Sequence, residues 1–506
     1  MGWLDRASLP PINQRQTMSI PFEAYESVIG FECHVQLNTR SKLFSRGPNA
    51  FGAAPNVLVD VVDAGLPGIL PTINKAAVES AIRLGLALSC EIREESIFSR
   101  KHYFYPDLPK GYQISQFDQP ICENGHLTFL VDGQPKTIRI RRIHIEEDAG
   151  KNTHADGINA SYVDFNRAGT PLLEVVSEPD LHTPQEAMAA IKAIRQMVTF
   201  LDICDGNMQE GSLRADINVS VRKKGDPNLG TRTETKNLNS FRYIGHAIAF
   251  ETRRQIIELE SGKSIIQETR LWDANSKESR SMRSKEEAHD YRYFPCPDLL
   301  PLVVSKDMIG RIQEKIYEKP YDKFQRYVKN LGLSAYDAEI LTSERKLSDF
   351  FETALAQHNN PKSIANWIIN EVLRSAKSTD TYDNNELAEF NSKITAQNLA
   401  EIVRLIDEKI ISNNIAKKVF ALIEITPSKL PLQIVEENNW QVVSTSGEIE
   451  TFVDQIFKDN PEEVKKYREG KTKVFGFLMG QLMKLSKGKV DPETAHKLML
   501  EALNKA

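Results

Sequence analysis

Ser212–Arg222, SLRADINVSVR, alternates without a break. Leu213, Ala215, Ile217, Val219 and Val221 share one phase, while Ser212, Arg214, Asp216, Asn218, Ser220 and Arg222 share the other. A period of two with one apolar and one polar phase is the signature of a half-buried antiparallel strand. Val28–Leu37, VIGFECHVQL, repeats it, with Ile29, Phe31, Cys33, Val35 and Leu37 on one side and Gly30, Glu32, His34 and Gln36 on the other. Together the two stretches call for an antiparallel sheet with one face on a core and the other lined by polar side chains. Ile138–Glu147 slips phase between Ile138/Ile140 and Ile143/Ile145. A β-bulge near Arg141 accounts for the slip, and bulges are frequent beside active sites.

Two helices are expected to cover the apolar face. Asn74 caps one whose stripe is Ala77, Val78, Ala81, Ile82 and Leu86. The other opens with the capping box Thr183-Pro184-Gln185-Glu186 and carries Ala187, Ile191, Ile194, Val198 and Leu201. From about residue 305 the pattern becomes helical. Phe324, Tyr327, Val328 and Leu331 form one stripe before Gly332, and Ile364, Trp367, Ile368 and Val372 form another. Ser378–Glu386 is polar and reads as a loop or hinge, and the last helix begins at Asp491-Pro492. The expected fold is α+β on an antiparallel sheet over 22–305, an all-α region over 306–430 and a small helical tail over 431–506. Residues 1–21 read as a flexible extension without an apolar signal core, with Met18 as an alternative start.

The 506 residues are 41% apolar and 26% charged, the balance of a soluble globular chain of about three domains. The net charge of −5 offers no overall basic field, so any RNA contact must come from a local patch. Lys465, Lys466, Arg468, Lys471, Lys473, Lys484, Lys487 and Lys489 supply one, interrupted only by Glu469. Its alternative is a solvated helix face. Cys33, Cys90, Cys122, Cys204 and Cys296 form no CxxC pair, which argues against a zinc knuckle or disulfide framework and fits a reducing cytoplasm. No apolar run is long enough to span a bilayer.

The P-loop, the protein-kinase motif set and the GxSxG elbow are all missing. What the sequence offers instead is carboxylates on polar strand faces. Glu32 and His34, two apart, point the same way at about 6.8 Å spacing. His144-Ile-Glu146-Glu147-Asp148, Asp164 to Arg167, Glu174, Glu210-Gly211-Ser212 and Glu234 with Lys236, Asn237 and Asn239 extend the set. Each alone fits a solvated strand. Together, beside glycine turns, they suit a hard divalent cation such as Mg²⁺, with Arg, Lys and Asn as phosphate or carboxylate donors. That combination serves phosphoryl transfer. The loop Lys101–Gln113, KHYFYPDLPKGYQ, mixes aromatics with cations and could stack on a terminal base or simply be an ordered Pro-rich loop.

IGFECHVQL, RKHYFYPDLPKGYQISQ, HIEEDAGK, DFNRAGTPLLEVVSEPD, EGSLRADINVSVR, TETKNLNSFR and DYRYFPCPDL occur in an order that resembles the B-subunit family of aspartyl/glutamyl-tRNA amidotransferases, from about Tyr25 to the C-terminus. The resemblance implies a cradle-shaped N-terminal domain that binds aminoacyl-tRNA, a helical domain and a tail that grip the tRNA body. It also implies ATP-dependent phosphorylation of the side-chain carboxylate of Glu-tRNA(Gln) or Asp-tRNA(Asn), then displacement by ammonia. An amidase A subunit would make that ammonia and a small C subunit would clasp the two, in the cytoplasm and off the membrane.

Carried onto this chain, the resemblance makes His34, Glu147, Glu174 and Glu210 the metal set and Glu147, Lys236 and Arg214 the catalytic one. Glu32, Ser212, Asp216, Asn218, Glu234 and Asn237 would line the ATP and aminoacyl pocket, and Lys465, Lys466, Arg468, Lys471 and Lys473 would contact tRNA. ATP and Mg²⁺ are the implied cofactors. No zinc is expected, because SRGPNAFG and VDVVDAGLPG lack the cysteine pairs many relatives have near Gly47 and Asp63. Cys296 stands where the family often has a Glu between two prolines. A non-catalytic tRNA-binding scaffold is the rival reading. A synthetase lacks its HIGH-like and KMSKS-like signatures here, and an amidase its Gly- and Ser-rich one.

Overall fold

The computed structural model describes residues 20–154, 160–284, 288–377, 390–442, 446–486, 490 and 492–504. The extension read over 1–21 (all but its last two residues), the segment Ser378–Glu386, Lys487, Lys489 and Asp491 lie outside them. Two compact units divide the chain, one up to Tyr321 and the other from Asp322.

The first unit is built on strands β1 (Tyr25–Gln36), β2 (Glu91–Ile92), β3 (Glu95–Ser96), β4 (Ser99–His102), β5 (Tyr112–Ser115), β6 (Cys122–Val131), β7 (Gln134–Glu147), β8 (Lys151–His154), β9 (Ser161–Asp164), β10 (Pro171–Ser177), β11 (Leu213–Lys223), β12 (Thr233–Lys236), β13 (Glu268–Asp273), β14 (Glu278–Ser284), β15 (Phe294–Pro295) and β16 (Leu302–Val303). Nine of them form one sheet in the order β14-β13-β12-β11-β1-β10-β7-β6-β2. Every pairing in it is antiparallel except β12 with β13. Helices α1 (Lys75–Ala87), α2 (Pro184–Phe200) and α3 (Phe241–Glu260) pack on the apolar face. α4 (Lys306–Gln313) also belongs to this unit, since Met308, Ile309 and Ile312 pack against the same core.

The expected bulge is there. Val176 pairs with Arg142 and Ser177 with Ile140, so Arg141 is the extra residue on β7. One inserted residue returns Ile143 and Ile145 to the side already held by Ile138 and Ile140, and all four are buried in the core. The two helix starts also hold: Asn74 Oδ1 accepts from Ala76 N at 2.9 Å, and Thr183 Oγ1 from Glu186 N at 3.1 Å. The Glu186 carboxylate accepts from His182 N rather than from the cap residue itself.

The two segments without cysteines meet at Asp63, which takes a hydrogen bond from Ser45 of the first segment and an ion pair from Lys42 just before it. Lys42 Nζ lies 3.1 Å from Asp63 Oδ2, both side chains buried, and Ser45 Oγ donates to the same oxygen at 3.0 Å.

The second unit is helical: α5 (Pro320–Lys329, its first two residues in the preceding unit), α6 (Ala335–Leu341), α7 (Arg345–Gln357), α8 (Pro361–Trp367), α9 (Leu373–Lys377), α10 (Ala396–Asp407), α11 (Asn413–Ile425), α12 (Pro431–Glu437), α13 (Ser446–Asp459), α14 (Pro461–Arg468), α15 (Val474–Leu485) and α16 (Pro492–Asn504). Ile364, Trp367, Ile368 and Val372 are buried as a stripe, and Gly332 stops α5's turn at φ 66°. α12 packs on α10 and α11, whereas α13 to α16 share a core of their own around Val453, Leu478, Leu482 and Met499. No helix among the described residues is long and apolar enough to cross a membrane.

One buried carboxylate fixes the sheet edge that carries Glu234 and Lys236. Glu251 on α3 accepts from Thr233 Oγ1 of β12 at 2.7 Å and from Ser279 Oγ of β14 at 3.2 Å, and it pairs with Arg254 and with Arg270 of β13. Burial alone would raise its carboxyl, but Arg254, the Thr233 hydroxyl and the Gln255 amide hold it below the usual carboxylate range. Its contribution is therefore present above the ordinary carboxylate pKa and lost as pH falls through the depressed value. Glu251→Ala should reduce unfolding free energy by about 1–3 kcal/mol, because it leaves Thr233 Oγ1 and Arg254 without their buried acceptor while Arg270 keeps Glu268 and Ser279. Thermal unfolding from about pH 3 to pH 7 should show the deficit of Glu251→Gln shrinking toward acid; a deficit independent of pH would refute this account.

Candidate metal and phosphoryl-transfer site

The polar face of the sheet is organised in rows set by strand register. His144 of β7 pairs with Glu174 of β10, Glu174 with His34 of β1, and His34 with Arg214 of β11. The next row runs Arg142, Val176, Glu32, Asp216. Beyond it Gly30 pairs with Asn218, Asn218 with Glu234, and Glu234 with Thr269. Residues directly opposite on one face of a sheet lie within side-chain reach, so each row is a line of potential partners.

His34, Glu146 and Glu174 converge: one ligand atom from each lies within 4.8 Å of the others. His34 Nε2 is 3.8 Å from Glu146 Oε1 and 3.7 Å from Glu174 Oε2. His144 Nε2 sits 3.1 Å from Glu174 Oε2 and 3.5 Å from Glu146 Oε2, while its Nδ1 is buried without a hydrogen-bond partner among the described residues.

Burial would lower the His144 imidazole, but Glu174 and Glu146 outweigh it and raise it to about 9. Burial would likewise raise Glu174, yet His144 and His34 hold it well below the carboxylate range, and His144 lowers Glu146 against its own burial. Two buried carboxylates stay ionised because cationic or imidazole groups surround them. One imidazole and two carboxylates fit a hard divalent cation, which takes oxygen ligands and keeps part of its water.

Around this cluster, positive groups are held in place by acids. Arg214 Nη2 donates to Asp148 Oδ2 at 2.8 Å, and Gln36 Nε2 donates to the same oxygen at 2.8 Å. Asp148 is buried. Burial opposes its ionisation, but Arg214 and Arg167 keep it below its ordinary range. Lys236 Nζ donates to Asp216 Oδ2 at 2.5 Å and stands 3.6 Å from Glu234 Oε1. Burial would lower this ammonium, but Asp216 and Glu234 raise it, so it stays charged. Glu32 Oε1 accepts from Asn218 Nδ2 at 3.1 Å, and Glu234 Oε2 from Thr269 Oγ1 at 2.8 Å. Asn237, at φ 68°, turns its amide to Trp272 O. Ser212 bonds Asp205.

Glu147 and Glu210 stand apart from the cluster. Glu147 points the other way along β7: Lys110 Nζ and Ile114 N donate to its carboxylate, and it is buried. Glu210 is exposed in the turn before β11, where its N donates to Asn207 Oδ1. Sequence reasoning quoted Glu146 and His144 without selecting either. The signal that singles them out is phase: past the bulge, His144 and Glu146 oppose the buried Ile143 and Ile145, and Glu147 does not.

Aromatic residues border the cluster. Burial and the nearby carboxylates Glu146 and Glu174 raise the Tyr293 hydroxyl, and burial and Glu146 raise that of Tyr103. Tyr293 stacks on Phe117 at 4.3 Å between centroids, and Lys101 Nζ lies 4.7 Å from the Tyr291 ring centroid. In the other unit, Lys465 and Arg468 of α14, with Lys471 and Lys473 just after it, are exposed, while Lys466 is half-buried beside Glu463.

Isothermal titration with Mn²⁺ should show Glu174→Gln and Glu146→Gln each lowering affinity at least about 10-fold, the scale seen when groups at a metal site are altered. Glu210→Gln should bind as wild type. Wild-type affinity in both cluster variants would remove the cluster as the metal site.

Comparison with known proteins adds an independent line. Residues 27–310 match the family model described as the GatB/GatE catalytic domain, and residues 349–503 match the GatB domain. A relative from Geotalea daltonii is 51% identical over 482 residues, covering 95% of this chain and 99% of the relative. One from Geobacter sulfurreducens is 50% identical over 483 residues and one from Thermodesulfovibrio yellowstonii 47% over 480, at the same coverage. All three carry the name of the B-subunit of aspartyl/glutamyl-tRNA(Asn/Gln) amidotransferase.

Proposed function

The chain belongs to the GatB/GatE family, and from that premise we propose that it is the ATP-using, tRNA-binding subunit of a tRNA-dependent amidotransferase, a carbon–nitrogen ligase. Its substrates are Glu-tRNA(Gln), Asp-tRNA(Asn) or both. Its partners are an amidase A subunit that supplies ammonia from glutamine and a small C subunit, in the cytoplasm. The sheet unit is the cradle that holds the aminoacyl end, and the helical residues beyond it, with the tail, hold the tRNA body. The observation that carries the reading is the convergence of His34, Glu146 and Glu174 on the polar face of the sheet.

The chemistry explains why such a face is needed. A carboxylate resists ammonia because its carbon is poorly electrophilic and its leaving group would be oxide. Attack of the side-chain carboxylate on the γ-phosphorus of ATP releases ADP and leaves an acyl phosphate. Ammonia then adds to the carbonyl carbon and phosphate departs. His34, Glu146 and Glu174 would hold Mg²⁺, which would supply charge neutralisation between the two anions.

The chain's own residues do the rest. Lys236 and Arg214 present fixed positive charge, one held by Asp216 and the other by Asp148, and need no reorganisation when phosphate charge develops. Glu32, Ser212, Asp216, Asn218, Glu234 and Asn237 lie on or beside that polar face and orient the reacting groups. Glu147 positions the 110–114 segment through Lys110 and Ile114. The aromatic border of Tyr103, Tyr291 and Tyr293 limits water around an acyl phosphate that water would destroy.

The test reconstitutes the chain with its two partners and supplies Glu-tRNA(Gln), ATP, Mg²⁺ and ammonium. Wild type should form Gln-tRNA(Gln) with release of phosphate. Glu146→Gln should assemble and bind tRNA but lose about 100-fold or more in turnover. Glu147→Ala, run beside it, reads the contribution of the Lys110 contact. A wild-type complex that binds tRNA but consumes no ATP with either Glu-tRNA or Asp-tRNA makes the chain a scaffold instead.

Lys465, Lys466, Arg468, Lys471 and Lys473 are proposed to contact the tRNA backbone. Each Lys→Ala there should weaken tRNA binding and lower the salt slope by about one. An unchanged slope would leave these residues as a solvated helix end.

A further inference from the structure

A second regular polar pattern lies in the helical unit. α8 runs into α9 through a π-turn, Ile368–Val372, in which Leu373 N donates to Ile368 O, so the chain is one continuous helix from Pro361 to Lys377. Of residues 361–375, only Lys362, Asn366, Asn370 and Arg374 are exposed, one at every fourth position. Ile364, Ala365, Trp367, Ile368 and Val372 bury the other side of the same helix.

A regular α-helix turns about 100° per residue, so positions four apart drift by about 40° at each step and spiral away from a line. The wider π-turn takes part of that drift back, and single π-turns recur at functional sites. The four exposed residues therefore form a narrow stripe about 18 Å long.

The chemistry of the stripe is ordered. A cation stands at each end, with two carboxamides between them. Glu371 is the only acid in this helix, and Arg374 and Lys417 of α11 each pair with it at 2.8 Å, so its charge is answered from within the unit. Asn370 is held in the stripe by Nδ2, which donates to Asn366 O at 3.0 Å. A carboxamide both donates and accepts, as a ribose 2′-hydroxyl does, whereas a phosphate oxygen only accepts. The minor groove of an RNA duplex is wide and shallow and displays 2′-hydroxyls and base edges, with a phosphate strand along either side. Cation, amide, amide, cation matches phosphate, hydroxyl and base edge, phosphate across that groove. The stripe has no aromatic or aliphatic anchor of the kind that forms the centre of a protein–protein interface.

We infer that this stripe docks in the minor groove of a duplex stem of the tRNA, with Asn366 and Asn370 on 2′-hydroxyls and base edges and Lys362 and Arg374 on the phosphates of the two strands. This rests on the tRNA-binding reading above and gives it one face of the helical unit. Such a contact reads A-form shape and ribose more than base sequence. It therefore serves a chain that takes Glu-tRNA(Gln), Asp-tRNA(Asn) or both.

The test measures equilibrium binding of the reconstituted complex to tRNA(Gln), unmodified or with 2′-deoxy nucleotides throughout one stem at a time. Asn366→Ala combined with Asn370→Ala should weaken binding of the unmodified tRNA about 5–100-fold, the scale of two hydrogen bonds. Deoxy substitution of one particular stem should weaken wild type by a similar factor and add little to the loss in the double variant. Lys362→Ala should lower the salt slope of binding by about one. Assembly and the melting transition should match wild type, because the substituted side chains are exposed. Wild-type affinity in the double variant overturns the inference. So does a deoxy penalty that persists in full in the double variant, which would give those hydroxyls to another surface. Loss of a partner subunit from the double variant on gel filtration also overturns it and makes the stripe a protein interface. A wild-type complex that binds no tRNA overturns the tRNA-binding reading and this inference with it.

Discussion

The pairing register of β7, β10, β1 and β11 is the constraint on which the site depends. It sets His144, Glu174, His34 and Arg214 in one row although the outermost two are 70 positions apart in the chain. A slip of one residue on any of these strands would turn its polar set into the core and its isoleucines and valines to water. The hydrophobic core therefore enforces the site. Ile29, Phe31, Cys33 and Val35 can stay buried under the helices only if Gly30, Glu32, His34 and Gln36 face the other way. The bulge at Arg141 serves the same end on β7, because it keeps four isoleucines inward while giving Arg142 and His144 to the polar face.

Such a face is electrostatically unfavourable in isolation, and the structure shows what offsets it. Glu146, Glu174 and Asp148 are all buried, and burial opposes ionisation in each. His144 answers for the first two and Arg214 with Arg167 for the third. Lys236 is handled in mirror image by Asp216 and Glu234. Charges so paired are fixed in direction before any substrate arrives, which is what electrostatic stabilisation of phosphoryl transfer requires. The Glu251 network does comparable work at the sheet edge, tying α3 to the strands that carry Lys236 and Glu234.

Much of this was legible in the residues. Uninterrupted alternation gave β1 and β11 their faces, and a phase slip located the bulge. Caps at Asn74 and Thr183 opened two helices. The polar phase also put Glu32 and His34 on one face of β1, and Arg214, Asp216 and Asn218 on one face of β11; that the two faces adjoin came from the pairing of the strands. The bulge hides the choice between adjacent carboxylates, because it shifts the phase of β7 by one residue. Glu146 and Glu147 are equivalent in composition, and only the strand's corrected phase sends Glu146 to the cluster and Glu147 toward Lys110. Glu210 precedes β11 in a turn, where no period fixes direction. Arg142 is not legible in its own segment, where nothing shows that the guanidinium lines a cavity.

The sequence by itself determined the α+β sheet unit, the helical remainder, the polar face and the family, because these follow from local periods and from motifs long enough to be specific. Tertiary structure alone decided which carboxylates meet and which cation holds each acid. It also decided where the core boundary falls, with α4 on the sheet unit. The physical reason is range. A side chain's face follows from its neighbours two residues away, whereas its partner comes from strands brought together across the chain, and their register is set by the packing of the whole core.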